Sequence, residues 1–128
     1  MKIPTFNEYA GLCDRTVSPG KGGRDDNDDL IHGVLGASSE VGELADQMKR
    51  FLYYGKPLDL VNLKEEVGDV MWYLALIAKA GGFSLQDCAE ANIRKLSIRY
   101  PDKFSNVQAA ERDLVAEHVA LVGHAAVA

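Results

Sequence analysis

Cysteine is scarce in this chain: Cys13 and Cys88 stand apart, with no Cys-x-x-Cys spacing and no Cys/His cluster around either. That pattern argues against a zinc site or a disulfide framework and leaves two thiols expected to be buried. Long apolar runs are missing as well. The opening MKIPTFNEYAG holds no apolar segment of signal-peptide length, and no later stretch is long enough to span a bilayer, so a cytoplasmic protein without membrane contact is expected. The basic residues form no run and the formal net charge is −5, which argues against a nucleic-acid surface and means that an anionic ligand would need the help of a cation. Histidines are few, and His32, His118 and His124 share no ligand spacing with the acids beyond a single Asp29-x-x-His32, so they read as incidental.

What is present is helical periodicity in a composition ordinary for one globular domain, 47% hydrophobic and 26% charged over 128 residues. Thr5 followed by Glu8 marks a capping-box start for a short helix to about Thr16. The stretch SPGKGGRDDND, Ser18 to Asp28, breaks it with Pro, three Gly and alternating charge, and reads as a loop. From about Asp29 to Tyr54, Leu30, Val34, Ala37, Val41, Leu44, Met48 and Phe51 recur at steps of three and four, the stripe of an amphipathic helix, and Gly55 and Pro57 end it. Asp59 caps a second long helix to about Ala80, closed by Gly81 and Gly82; Ser84 with Asp87 starts a third, closed by Pro101; Val107 to about Val122 is a further candidate. No segment reads as a strand, and the fold class expected is all-α.

Two carboxylate pairs carry the chemistry: Glu40 with Glu43, and Glu66 with Asp69. Each pair has i, i+3 spacing, so its members project from one side of a helix. On the first helix the acids line one edge of the apolar stripe, with Gln47 continuing it; on the second, Asn62, Glu66, Asp69 and Tyr73 form the equivalent line beside Val70, Trp72, Leu74 and Ile77. The short connection from Tyr54 to Leu58 favours antiparallel packing, which would bring the four carboxylates together across the seam. Four facing acids repel unless hard divalent cations sit among them, and Mg²⁺ takes oxygen ligands while leaving room for water and phosphate. Lys49, Arg50 and Lys56 follow the first pair and read chiefly as solvated charges, with Lys49 kept as a candidate phosphate contact; Phe6, Tyr9 and Trp72 read as core rather than as base-stacking rings. Asp25, Asp26, Asp28 and Asp29 read as a loop and helix start.

The ordered set Glu40-x-x-Glu43, 22 intervening residues, Glu66-x-x-Asp69, then Asn92-x-x-Lys95 and Arg99-Tyr100-Pro101 resembles the MazG-like nucleoside triphosphate pyrophosphohydrolases. The resemblance runs from about Phe6 to Phe104, includes Val67-Gly68-Asp69-Val70-Met71-Trp72-Tyr73, and is nearest to the compact members of bacteria and their phages. One departure is Ser39, where the family often has a second acid before Glu40. The resemblance implies a single domain over residues 1–128, with a core of about 5–104 and a helical tail of about 105–128. It also implies an all-α, four-helix-bundle-like fold that is oligomeric, a dimer or tetramer, and hydrolysis of an NTP or dNTP between the α and β phosphates. Glu40, Glu43, Glu66 and Asp69 would be metal ligands and catalytic, with Mg²⁺ as cofactor and Mn²⁺ as a substitute. Asn92, Lys95 and Lys49 would contact the substrate, and a purine such as dGTP or GTP is the base expected. A ferritin-like di-iron bundle would need Glu-x-x-His, and an HD phosphohydrolase a His-Asp pair; neither occurs. The non-enzymatic alternative is a helical nucleotide-sensing or oligomerisation module.

Overall fold

Five of the helices begin where a side-chain oxygen accepts from the otherwise unsatisfied N–H groups of a first turn. In a computed structural model describing residues 2–3, 5–20 and 23–123, six helices follow in order: α1 (Phe6–Asp14), α2 (Asp26–Tyr54), α3 (Leu60–Ala80), α4 (Leu85–Arg99), α5 (Asn106–Ala110) and α6 (Leu114–Val122). Thr5 caps α1 by accepting from the Glu8 N–H at 3.1 Å, as its spacing predicts. α2 starts earlier than the apolar stripe suggests, at Asp26, because Asp25 and Asp28 accept from each other's backbone N–H in a reciprocal capping box. Lys21 and Gly22 of the expected loop lie outside the described residues, as does His124. Asp59 caps α3 through the N–H groups of Val61 and Asn62, and Gly55, at φ 62°, ends α2 in the left-handed conformation that glycine adopts without penalty.

The tail differs from the single helix expected over Val107 to Val122. It forms two short helices, because Glu111 leaves the helical conformation at ψ 73° and Asp113 then caps a new start by accepting from the Ala116 N–H at 2.9 Å. Cys88 also departs from expectation: Cys13 is buried, whereas Cys88 is exposed on α4, a helix with no buried residue. No described helix is long and apolar enough to cross a membrane.

The helices fall into two compact units, Met1–Leu85 and Gln86–Ala128. In the first, α2 and α3 form the principal pair and α1 packs on α3. The pair is antiparallel: moving forward along α2, Gly33 meets Ile77, Gly36 meets Tyr73 and Gln47 hydrogen-bonds Asn62. Close approach requires the two glycines. A Cβ on Gly36 would fall within the Tyr73 ring, and one on Gly33 would lie 2.6 Å from Ile77 Cγ1. α1 is fastened to α3 by Tyr9 Oη donating to the Gly68 carbonyl at 3.3 Å, by Trp72 Nε1 donating to Thr16 Oγ1 at 2.7 Å, and by an Asp14–Lys79 ion pair. In the second unit, α6 is fixed to α4 through Glu117 and Arg99.

Helix propensity and packing pull in opposite directions at these glycines, and their magnitudes decide the outcome. Alanine in a helix interior gains about 1 kcal/mol over glycine, while overpacking a close contact costs about 1–3 kcal/mol. A Cβ on Gly42 meets nothing within 4 Å. In urea unfolding, Gly36→Ala is therefore expected to destabilise by roughly 1–2 kcal/mol and Gly42→Ala to stabilise by about 0.5–1 kcal/mol. Equal effects at the two positions would show that the α2–α3 approach is looser than described.

Candidate active site

The antiparallel register turns the two acid pairs toward one another. Glu40 of α2 and Glu66 and Asp69 of α3 each bring one carboxylate oxygen within 4.8 Å of the others, a spacing one cation could bridge. Glu40 and Glu66 are half-buried and Asp69 is exposed, so the cluster is open to solvent on one side. None of the three has an ion pair among the described residues, a costly arrangement for close carboxylates. The strain falls on Glu40. Loss of solvation, then the negative charges of Asp69 and Glu66, a hydrogen bond with Glu66 and the charge of Glu43 together raise its pKa above that of an ordinary glutamate. The shift favours the protonated form of Glu40 more than in an ordinary glutamate.

Neighbouring groups fix the orientation of the cluster. Asn62 accepts from Gln47 and donates from Nδ2 to Glu66 Oε1 at 2.8 Å, so an amide chain spans the helix pair and aims one Glu66 oxygen. On the other side Asp69 and Glu40 face an open pocket of about 290 Å³ whose remaining walls are Thr16, Trp72 and Tyr73. His32 packs edge-on against both rings, 6.3 Å from Trp72 and 5.5 Å from Tyr73 by centroid, and the two rings stand 5.0 Å apart. Tyr9, bonded to the Gly68 carbonyl beside Asp69, has its hydroxyl pKa pushed up, chiefly by burial. A second cavity of about 220 Å³ lies between α1 and α3 and shares Trp72 as a wall. It contains no carboxylate cluster among the described residues, and the acidic pocket is where metal-dependent chemistry could occur.

The predicted site residues divide. Glu40, Glu66 and Asp69 come together. Glu43 is exposed and stands outside that group, although its charge acts on Glu40. Lys49 is ion-paired with Asp46 on the surface of α2. Asn92 and Lys95 belong to the second unit, where Asn92 is exposed and Lys95 half-buried. The pocket also uses residues that the sequence reading assigned no site role: Thr16, which holds the Trp72 indole, and Gly36, which admits the Tyr73 ring. The signal for the glycines was present as Gly33-x-x-Gly36 beside the apolar stripe of α2, a place where a missing side chain permits a close helix crossing.

Comparison with known proteins gives the family. The MazG nucleotide pyrophosphohydrolase domain matches residues 33–104, a span beginning early in α2 and including all of α3 and α4. The chain is also similar to the Gene 37 protein of Mycobacterium phage L5, with 32% identity over 93 residues, covering 67% of this chain and 79% of the phage protein. No solved structure gives a significant match. With the matched span holding both acid pairs, the chain belongs to the MazG nucleotide pyrophosphohydrolase family.

Proposed function

We propose that this chain is a metal-dependent nucleoside triphosphate pyrophosphohydrolase that converts an NTP or dNTP to its monophosphate and pyrophosphate. The observation that carries the reading is the convergence of Glu40, Glu66 and Asp69 with no cationic side chain among them, a donor set of hard oxygens suited to Mg²⁺ or Mn²⁺. These three residues would hold the ion, with Glu43 one turn along α2 as the outer carboxylate. A bound divalent ion would neutralise phosphate charge and lower the pKa of a coordinated water. Glu40 or Glu43 would accept the proton as water attacks the α-phosphorus. The bond to the bridging oxygen breaks, and that oxygen leaves with the pyrophosphate. The amide chain from Gln47 through Asn62 restrains Glu66, and the Trp72 and Tyr73 rings wall off the pocket beside Asp69. Lys95 keeps the phosphate-binding role, and Asn92 the polar contact to sugar or phosphate, that the family resemblance implies for them, and Lys49 a subsidiary one. A purine, dGTP or GTP, is the proposed base, and the cytoplasm of a bacterium or a phage-infected cell the proposed setting.

The functional unit is proposed to be one MazG-like domain assembled as a homodimer or homotetramer. Large apolar side chains are exposed along α2 and α3, with Tyr53 at 78% and Val61 at 80%, more than an isolated helix pair ordinarily leaves to water.

Hydrolysis of the eight common NTPs and dNTPs, with pyrophosphate separated from orthophosphate, tests the reaction. Monophosphate and pyrophosphate are expected only with Mg²⁺ or Mn²⁺. Glu66→Gln and Asp69→Asn should each lower kcat by about 10³-fold or more at unchanged helical circular dichroism. Turnover retained in both variants would remove the acids from catalysis and favour a non-catalytic module.

The raised pKa of Glu40 gives a second test, and its sign follows from linkage. A carboxyl whose folded pKa is raised stabilises the fold fully below its unfolded pKa, about 4.3 for glutamate, and that contribution is lost as pH rises through the higher folded value. Without divalent ions, melting temperature should therefore carry a fall as pH rises above the ordinary glutamate pKa that Glu40→Gln abolishes and Mg²⁺ suppresses. A melting profile identical in Glu40→Gln and the parent would contradict the described convergence.

A further inference from the structure

Asn62 sits in the first turn of α3 and Gln47 in the C-terminal half of α2, and their amides meet across the seam of the helix pair. Both residues are half-buried. The backbone of Asn62 is anchored by the α3 cap, with Asp59 Oδ1 accepting its N–H at 3.1 Å. Its side chain is held at both ends: Gln47 Nε2 donates to Asn62 Oδ1, and Asn62 Nδ2 donates to Glu66 Oε1 at 2.8 Å. The oxygen and nitrogen of a side-chain amide have nearly the same shape, so packing alone does not choose which of them faces Glu66. Gln47 makes the choice. Its donor on the carbonyl oxygen turns the Asn62 N–H groups toward the carboxylate, and the reverse orientation would set donor against donor and an oxygen against the charge of Glu66.

A neutral donor orients Glu66 without cancelling its charge. Lysine or arginine in the place of Asn62 would pair with the carboxylate and compete with a cation, and none of the ion pairs among the described residues involves Glu66. Partners that hold a ligand from behind in this way commonly tune the affinity of a metal site. The Asn62 bond also takes up Oε1. One oxygen each from Glu40, Glu66 and Asp69 lies close enough for a common ion, a count that suits an ion keeping several waters at near-octahedral geometry, as Mg²⁺ does. Ca²⁺ takes about six to eight oxygens and often chelates both oxygens of one carboxylate. A Glu66 released from Asn62 can offer both.

We propose that Gln47 and Asn62 are positioning residues that set the ion preference of the acidic pocket: Gln47 fixes the Asn62 amide, Asn62 holds Glu66 Oε1, and Glu66 meets an ion through its other oxygen alone, which favours Mg²⁺ and Mn²⁺ over Ca²⁺. The inference rests on the metal-dependent function proposed above and adds to it one residue from each helix of the pair. Asn62 acts through Glu66. Gln47 acts at one further remove, through Asn62.

The experiment is binding of Mn²⁺, Mg²⁺ and Ca²⁺ alone to the full-length chain with no nucleotide present, Mn²⁺ being followed by its electron paramagnetic resonance and the other two by competition against it. Asn62→Leu keeps the side-chain volume and removes both hydrogen bonds. It is expected to weaken Mn²⁺ binding by about tenfold or more and Ca²⁺ binding by much less, so that the Mn²⁺-to-Ca²⁺ affinity ratio falls by roughly tenfold. Gln47→Glu puts an acceptor where the donor was, turns the Asn62 N–H groups away from Glu66, and should lower the ratio in the same direction, although its added negative charge strengthens the binding of every cation. In the Asn62→Leu background the same change should leave the ratio unmoved. An unchanged ratio in a folded Asn62→Leu chain overturns the proposal, and if that variant does not fold, an unchanged ratio in Gln47→Glu does so. Either result, with Mn²⁺ still bound by the parent, removes the positioning role alone; a parent that binds none of the three ions overturns the metal-dependent function as well.

Discussion

The candidate site depends on how closely α2 and α3 approach. Gly33 and Gly36 remove two side chains from the contact face of α2, and the Ile77 and Tyr73 side chains of α3 fill the space. The gain is dispersion and apolar burial, spread over many small contacts. The cost appears one turn further along, where the same register places Glu40 beside Glu66 and Asp69. Carboxylates at that spacing would push apart two helices held by little else. Here the glycine-seated contacts on one side and the Gln47–Asn62 pair on the other hold them in place, and the repulsion shows as a displaced proton equilibrium on Glu40 rather than as a separated helix pair.

The chain treats its carboxylates in two opposite ways. In the first unit three acids meet without a cation, and the pKa of Glu40 is pushed up by loss of solvation and by its neighbours' charge. In the second unit one acid meets two arginines, and the pKa of Glu117 is held far below the usual carboxylate range by the hydrogen bonds from Arg99 and Arg112. One arrangement has surplus negative charge and the other surplus positive charge.

The buried apolar core of the described residues is small: Cys13, Ala75, Leu76 and Ala78, all where α1 meets α3 or at the end of α3. Much of the specificity of the first unit therefore rests on directed contacts, such as Tyr9 to the Gly68 carbonyl and Trp72 to Thr16, rather than on volume alone. Those contacts also bring α1 to the edge of the acidic pocket, since Thr16 and Trp72 both line it. Fold and site share residues, so the turn that follows α1 contributes to the pocket wall through Thr16 although α1 itself carries none of the clustered acids.

Local rules written in the sequence determined much of this protein. The 3.6-residue stripe of Leu30 through Phe51, the caps at Thr5 and Asp59 and the stop at Gly55 depend on neighbours within a turn or two, and so they set α1, α2 and α3 before any partner is known. The i, i+3 acid pairs were legible for the same reason, and the ordered motif led to the family that the comparison supports. Tertiary packing decided the rest. Which three of the four acids converge depends on the rotation of two helices about each other, set by the absent side chains at Gly33 and Gly36, and that rotation leaves Glu43 outside. The burial of Glu117 depends on Arg99 and Arg112, 18 and 5 residues away, closing upon it. Sequence periodicity tells a helix which face is apolar; only the partner surface determines which charges on that face are brought together and which remain in water.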